Sequence, residues 1–466
     1  MVFSSIPFIF FFLPIFLILY YLVPFKVKNI ILLIFSLIFY AWGEPIYILL
    51  MVFSSIVDYT NGLLLKKTDN KRKRKLILIE SIIVNLGLLG FFKYSDFLIE
   101  NINSLFNLDI GLLNLPLPIG ISFFTFQTMS YTIDVYRKEV KPEKNFLNFM
   151  CYVSMFPQLI AGPIVRYETV HKELHDREIS INNFANGFVR FLEGLFKKVI
   201  IANTLGALFL EISTSWFDYS GLTLFLGLLA YSFQIFFDFS GYSDMAIGIG
   251  KMLGFNYLEN FNYPYISKSI TEFWRRWHIS LSTFFRDYVY IPLGGSRCST
   301  LKNIRNIFVV WFLTGFWHGA SWNYLLWGVY FGVILLLEKF VLKNFLENLP
   351  NFLKHTYSII LILIGWLIFA FEDMSFLTHY TKRMIGLDGT FFGNDFIFFL
   401  KNYLIIFIIA GIFSTPLFKL VKEKIEKSKN KGIYYTIMFI SYLVLFIITI
   451  SFLVSDTYNP FLYFRF

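Results

Sequence analysis

The chain has 466 residues, 56% of them hydrophobic and only 15% charged, with a formal net charge of +10 and a mean hydropathy of +0.62. Soluble domains usually hold about 25% charged residues, so a water-soluble globule is excluded. The basic clusters sit between hydrophobic stretches, as in the cytoplasmic loops of membrane proteins, and this argues against nucleic acid as a partner.

Many apolar runs reach the roughly 20 residues a helix needs to cross a bilayer. Lipid offers no partner to backbone groups outside a helix or closed barrel, and runs such as 77–92 lack the alternation of barrel strands. The expected fold is therefore an all-α polytopic membrane protein. The two cysteines, Cys151 and Cys298, form neither a disulfide framework nor a metal-binding spacing, and no metal is expected.

In chain order, the first apolar stretch, 6–23, has no basic lead and no small-residue cleavage site, which makes it a retained span. Spans follow at 29–42, 46–65 and 76–97. The basic loop 66–75 lies between the last two; the positive-inside rule places it in the cytoplasm and the N-terminus outside. Residues 98–117 then fall outside, and Pro116 to Gln127 opens a broken or re-entrant inward span. Phe156 to Pro163 is too short and interrupted for a clean span; it fits a cavity wall or a helix–turn–helix corner equally. His171 and His175 share a helix face, but no third ligand accompanies them, so 166–182 reads as a solvated amphipathic segment.

Spans resume near 187–210 and 220–237. Asp238 and Asp244 then stand in an apolar run, where charge is costly and faces a cavity or a partner. Arg275, Arg276 and Arg286 are the expected counter-ions. The glycines at 248, 250 and 254 imitate a dinucleotide fingerprint, with the wrong spacing and no preceding strand. From 253 to 305 the chain is amphipathic and interfacial. Further spans are expected from 307, at 322–337, 356–371, 399–418 and 433–455, giving roughly eleven to thirteen crossings with both termini outside. No internal repeat or second domain is apparent over 1–466.

Chemistry concentrates in Trp274-Arg-Arg-Trp-His278, in the stretch from Phe285 to Gly295, and in Gly315-Phe-Trp-His318-Gly-Ala-Ser-Trp322. Histidine is rare in apolar spans and serves as a general base near neutral pH. Glycines beside His318 would let a substrate approach closely.

These stretches, with Phe92-Lys-Tyr94, Pro118-Ile-Gly-Ile-Ser-Phe, the 156–163 motif and Phe237-Asp-Phe-Ser-Gly-Tyr-Ser-Asp-Met, resemble the membrane-bound O-acyltransferases. The resemblance runs along most of the chain. It is nearest the bacterial branch of alginate O-acetylases, peptidoglycan O-acetyltransferase A proteins and the teichoic-acid D-alanylation protein DltB. It implies one integral-membrane domain around a central tunnel: peripheral spans 1–97, a core of about 118–345, and C-terminal spans with a terminal tyrosine motif, 356–466. His318 then corresponds to the catalytic histidine and His278 to the second active-site histidine. Tyr463, in Pro460-Phe-Leu-Tyr463-Phe-Arg-Phe466, is similar to a tyrosine proposed to carry the acyl group; an interfacial aromatic anchor is the plainer alternative.

Substrate contacts are expected from Trp274, Arg275, Arg276, Asp238, Asp244, Trp317 and Trp322, with an oxyanion donor among Trp317, Trp322 and a cationic His278. One departure is Phe369-Ala-Phe-Glu372, where many relatives carry Phe-Arg. No bound cofactor is expected; acetyl-CoA is the expected donor substrate, and a cell-wall or secreted polysaccharide the acceptor. The expected setting is the bacterial cytoplasmic membrane, with an SGNH-type acetyltransferase as the outer partner. D-alanyl transfer to teichoic acid and a non-enzymatic transporter or scramblase are the rival functions.

Overall fold

Asn70 shows how local signals set the helix boundaries. Its side chain accepts the N–H groups of Arg72 (3.0 Å) and Lys73 (3.2 Å), an N-cap that starts the helix Lys71–Phe106. Lys66 and Lys67 close the helix before it, Ile48–Lys67. The basic stretch expected as a loop is thus mostly helix, with only Thr68–Asn70 between the two. The next helix also outruns its expected span of 76–97. Residues 98–106 hold neither glycine nor proline, so it continues to Phe106 and stops only where Asn107 turns left-handed (φ 52°).

The computed structural model describes residues 1–160, 162–426, 431–455 and 462. Among these every regular element is helical. Seven helices are long and apolar enough to cross a membrane: Ile48–Lys67, Lys71–Phe106, Gly221–Met252, Trp322–Phe340, Asn351–Ala370, Asn394–Phe413 and Tyr434–Ser455. The protein is an all-α, multi-pass membrane protein. The other expected spans fall on shorter or less apolar helices, such as Phe25–Ala41, Ile121–Arg137 and Thr300–His318. The expected span 187–210 is a helix interrupted by a π turn at Lys197–Ala202, and 399–418 ends early, at Phe413, ahead of Pro416.

The chain divides into two compact units: Met1–Phe191 with Tyr242–Leu258, and Leu192–Gly241 with Glu259–Phe466. In the first unit, Gly120 adopts φ +74°, and a Cβ there would lie 2.8 Å from the carbonyl oxygen of Leu159. Only glycine suits that turn, and it seats the start of Ile121–Arg137 on the 156–163 motif. By sequence that motif fits a cavity wall or a helix–turn–helix corner equally; its Phe156–Leu159 part is a single buried turn. Phe156 meets Phe12 and Phe16 edge-on at 5.4 and 5.1 Å, within an aromatic core. His175 Nε2 pairs with Glu143 Oε2 at 2.9 Å. Gly248 lies in a helix against the backbone of Gly187 and Phe191, a packing role with no strand before it.

The second unit contains the helical hairpin Thr300–His318 and Trp322–Phe340, followed by Asn351–Ala370. It also holds a belt of short elements, Ile270–Arg276, Ile279–Phe285 and the π turn Arg286–Tyr290.

Candidate active site

Two glycines set the position of His318. A Cβ on Gly315 would stand 2.4 Å from the Tyr324 carbonyl oxygen, and one on Gly328 would stand 2.5 Å from that of Trp311. The two arms of the hairpin therefore cross backbone against backbone, which only residues without side chains permit. His318 ends the first arm. Its ring meets Trp327 (5.0 Å, 83°) and Phe369 (5.2 Å, 85°) nearly at right angles. Gly319 was expected to leave room for substrate; the Tyr324 ring occupies that space, 2.4 Å from where a Cβ would be. The glycines here serve helix packing, not substrate access. The departure at Glu372 has a local partner too, since the Tyr324 hydroxyl lies 3.5 Å from its Oε1.

His278 is placed by polar bonds instead. It joins two short helices in a left-handed conformation (φ 44°). Asn260, fully buried, accepts at Oδ1 from the Ser280 N–H (3.2 Å) and hydroxyl (2.9 Å), and His278 Nδ1 lies 3.1 Å from the same oxygen. Because that amide oxygen can only accept, Nδ1 carries a proton. Burial opposes a second one, pulling the imidazole from its ordinary 6.5 down to about 3. Burial of the ring thus works against the cationic His278 expected as an oxyanion donor.

Glu338 steadies the same belt. Its carboxylate accepts the N–H groups of Ile270 (2.7 Å) and Thr271 (2.8 Å) and the Thr271 hydroxyl (2.6 Å), capping the helix that carries Trp274. Neither Asn260 nor Glu338 was picked from the sequence. Each is a single polar residue far along the chain from what it holds; a carboxylate late in an apolar span was the one signal for Glu338.

The two histidines open onto one cavity of about 790 Å³, lined also by Trp274, Arg275, Trp277, Trp311 and Thr314. That lies within the roughly 300–1,000 Å³ of small-molecule sites. The indole of Trp317 lies close to both histidines, 5.0 Å from His318 and 5.9 Å from His278 by ring centroid, but is not among the residues lining the cavity. The cavity also collects Arg286, Lys339 and Lys343 against Glu338 and Glu347.

Other sequence candidates lie elsewhere. Arg276 pairs with Glu272 at 2.9 Å and binds the Asn262 carbonyl oxygen. Trp322 is 59% exposed. Asp244, in the first unit, pairs with Arg190 at 2.6 Å, and Asp238 pairs with Lys198. The counter-ions are thus not the arginines at 275, 276 and 286, because Arg190 and Lys198 reach the carboxylates from neighbouring helices. Tyr463 lies outside the described residues.

In this all-helical membrane protein two histidines open among tryptophans onto one cavity, and comparison with known proteins gives the class, a membrane-embedded acyltransferase. Residues 106–380 match the family described as MBOAT, membrane-bound O-acyltransferase family. The "Probable alginate O-acetylase AlgI" of Pseudomonas putida is 38% identical across the full length of both chains. Its namesake in Pseudomonas aeruginosa is 45% identical over 80% of this chain and 73% of that protein. The "Peptidoglycan O-acetyltransferase" of Helicobacter pylori is 35% identical over 84% of this chain and 80% of its own length. The "Teichoic acid D-alanyltransferase" of Bacillus subtilis is more distant, 31% identical over 48% of this chain and 60% of its own. The chain belongs to the membrane-bound O-acyltransferase family and is an O-acyltransferase.

Proposed function

We propose that the protein transfers acetyl groups from acetyl-CoA to the hydroxyls of a cell-wall or secreted polysaccharide across a bacterial cytoplasmic membrane, with both termini outside. The observation that carries this reading is the single cavity shared by His278 and His318. The arginines and lysines on its lining suit an anionic thioester donor. The relatives named for alginate and peptidoglycan acetylation cover most of this chain, whereas the D-alanyltransferase covers about half, which favours acetyl as the group moved.

In this mechanism His318 is the general base. It takes the proton of the Tyr463 phenol as that oxygen attacks the thioester carbonyl. The carbon–sulfur bond breaks, the departing thiolate recovers the proton, and an aryl ester remains on the tyrosine. An outer partner of the SGNH-hydrolase type then accepts the acetyl group and passes it to the polymer hydroxyl. An indole N–H is the candidate donor to the developing oxyanion, and the aromatic walls keep water from the ester.

The test follows labelled acetyl-CoA into wall or secreted polymer in membranes bearing wild type or His318→Ala. Transfer should fall at least a hundredfold, about the contribution of a general base, at unchanged protein level. A transporter or scramblase would keep its activity in His318→Ala, and that result would defeat the enzymatic reading. Tyr463→Phe keeps an aromatic anchor but removes the hydroxyl, so full transfer by this variant would exclude the tyrosine relay alone.

A further inference from the structure

The buried pair of Lys198 and Asp238 has no part in the cavity, yet its construction is elaborate. Both side chains are 2% exposed. Burying such a pair in a membrane protein is costly and gives weak stability in return. Lys198 lies in the π turn Lys197–Ala202, and its Nζ also donates to Asn203 Oδ1 at 3.0 Å. π turns inside helices are frequent at functional sites. The approach is close: a Cβ on Gly241 would meet the Gly194 carbonyl oxygen at 2.8 Å and the Lys198 nitrogen at 3.0 Å.

With Lys198 on Oδ1, the other carboxylate oxygen, Oδ2, accepts the backbone N–H of Leu462 at 2.9 Å. The helix leading to that segment, Lys431–Ser455, packs on the same π turn. It is further held where the Tyr442 hydroxyl donates to Glu193 Oε1 at 2.6 Å. The residue after Asp238 is Phe239, whose ring meets His278 edge-on at 4.6 Å.

We infer that the Lys198–Asp238 pair is a docking post for this chain's own backbone at Leu462. Asp238 is then a positioning residue, not a substrate ligand. The post fastens Leu462, the residue before Tyr463 in the sequence, to the helix whose Phe239 packs on His278. Its value for catalysis rests on the proposed tyrosine relay; the docking itself does not.

The experiment uses the full chain in detergent and reads hydrogen exchange at the Leu462 amide. Lys198→Met with Asp238→Leu replaces the pair by apolar side chains of similar size, which commonly preserves a fold but removes the acceptor. Exchange should rise at least tenfold while the unfolding midpoint stays within a few degrees. Lys198→Met with Asp238→Asn keeps a carbonyl acceptor without charge and should restore slow exchange. Equal Leu462 exchange in wild type and the apolar double variant would overturn the docking post. Fast exchange with full acetyl transfer would keep the post but overturn its positioning role in catalysis, while full transfer by Tyr463→Phe would instead sink the relay.

Discussion

The hairpin 300–340 and the belt 259–295 each deliver one histidine to the same cavity by different physics. The hairpin places His318 through glycine contacts between two helix backbones, and its environment is aromatic. The belt is built of short helices that cannot hold themselves; it fixes His278 through the buried amide of Asn260 and the carboxylate of Glu338. Backbone packing gives stiffness, while a hydrogen-bonded amide sets which ring nitrogen carries the proton. The general base proposed for His318 would need the first, and an oriented second histidine the other.

The sharpest way to break this contrast is Gly315→Ala. In an ordinary helix that change stabilises by up to about 1 kcal/mol. Here the added methyl would meet the Tyr324 carbonyl oxygen at 2.4 Å, which is backbone and cannot swing away. The expected result is a loss of about 3 kcal/mol, the upper end for overpacking, with transfer abolished. Gly411→Ala, where nothing lies within 4 Å, is the control and should be neutral or stabilising. Unfolding in mixed micelles measures both; a tolerated Gly315→Ala would show that the hairpin is not set by this crossing.

A smaller effect separates the belt. His278 has an ordinary value of 6.5 when unfolded and about 3 when folded, so below pH 6.5 the unfolded chain binds the extra proton. Its contribution to stability is therefore full above pH 6.5 and is lost as pH falls toward 3, by about 1.4 kcal/mol per pH unit. The stability difference between wild type and His278→Gln should shrink with nearly that slope from pH 5.5 to 4.5. A difference that stays level across this range would mean the ring is charged or wet in the folded state.

Much of this arrangement was legible in the sequence, and the illegible part has a common cause. His278, His318 and Trp274 stood out because histidine and tryptophan crowd together nowhere else in so apolar a chain, and the structure gathers all three at one cavity. The helical architecture followed from composition, since lipid leaves few alternatives. What the sequence concealed were pairings across distance. Asp238 and Asp244 were conspicuous as costly charges, but nothing in their neighbourhood pointed to Lys198 and Arg190, and the nearer arginines looked like better partners. Asn260 and Glu338 were invisible because one amide or carboxylate carries no pattern. The glycines at 315 and 319 were noticed for the right reason, absence of a side chain, but it is neighbouring helix and ring that fill the space.

Arg276 makes the finest distinction. It follows Arg275 in the sequence and shared the same expected role, but only Arg275 lines the cavity. Arg276 instead pairs one turn back with Glu272 at 2.9 Å, both side chains about a third exposed. Pairs of this kind stabilise a helix by about 0.2–0.5 kcal/mol, and solvent screening keeps the value low. Arg276→Gln should therefore lower the unfolding free energy by under about 0.5 kcal/mol and leave the KM for acetyl-CoA, the proposed donor, within twofold, while Arg275→Gln should raise that KM. The side-by-side KM values decide the matter: a larger rise for Arg276→Gln than for Arg275→Gln would place the donor outside the cavity that the two histidines share.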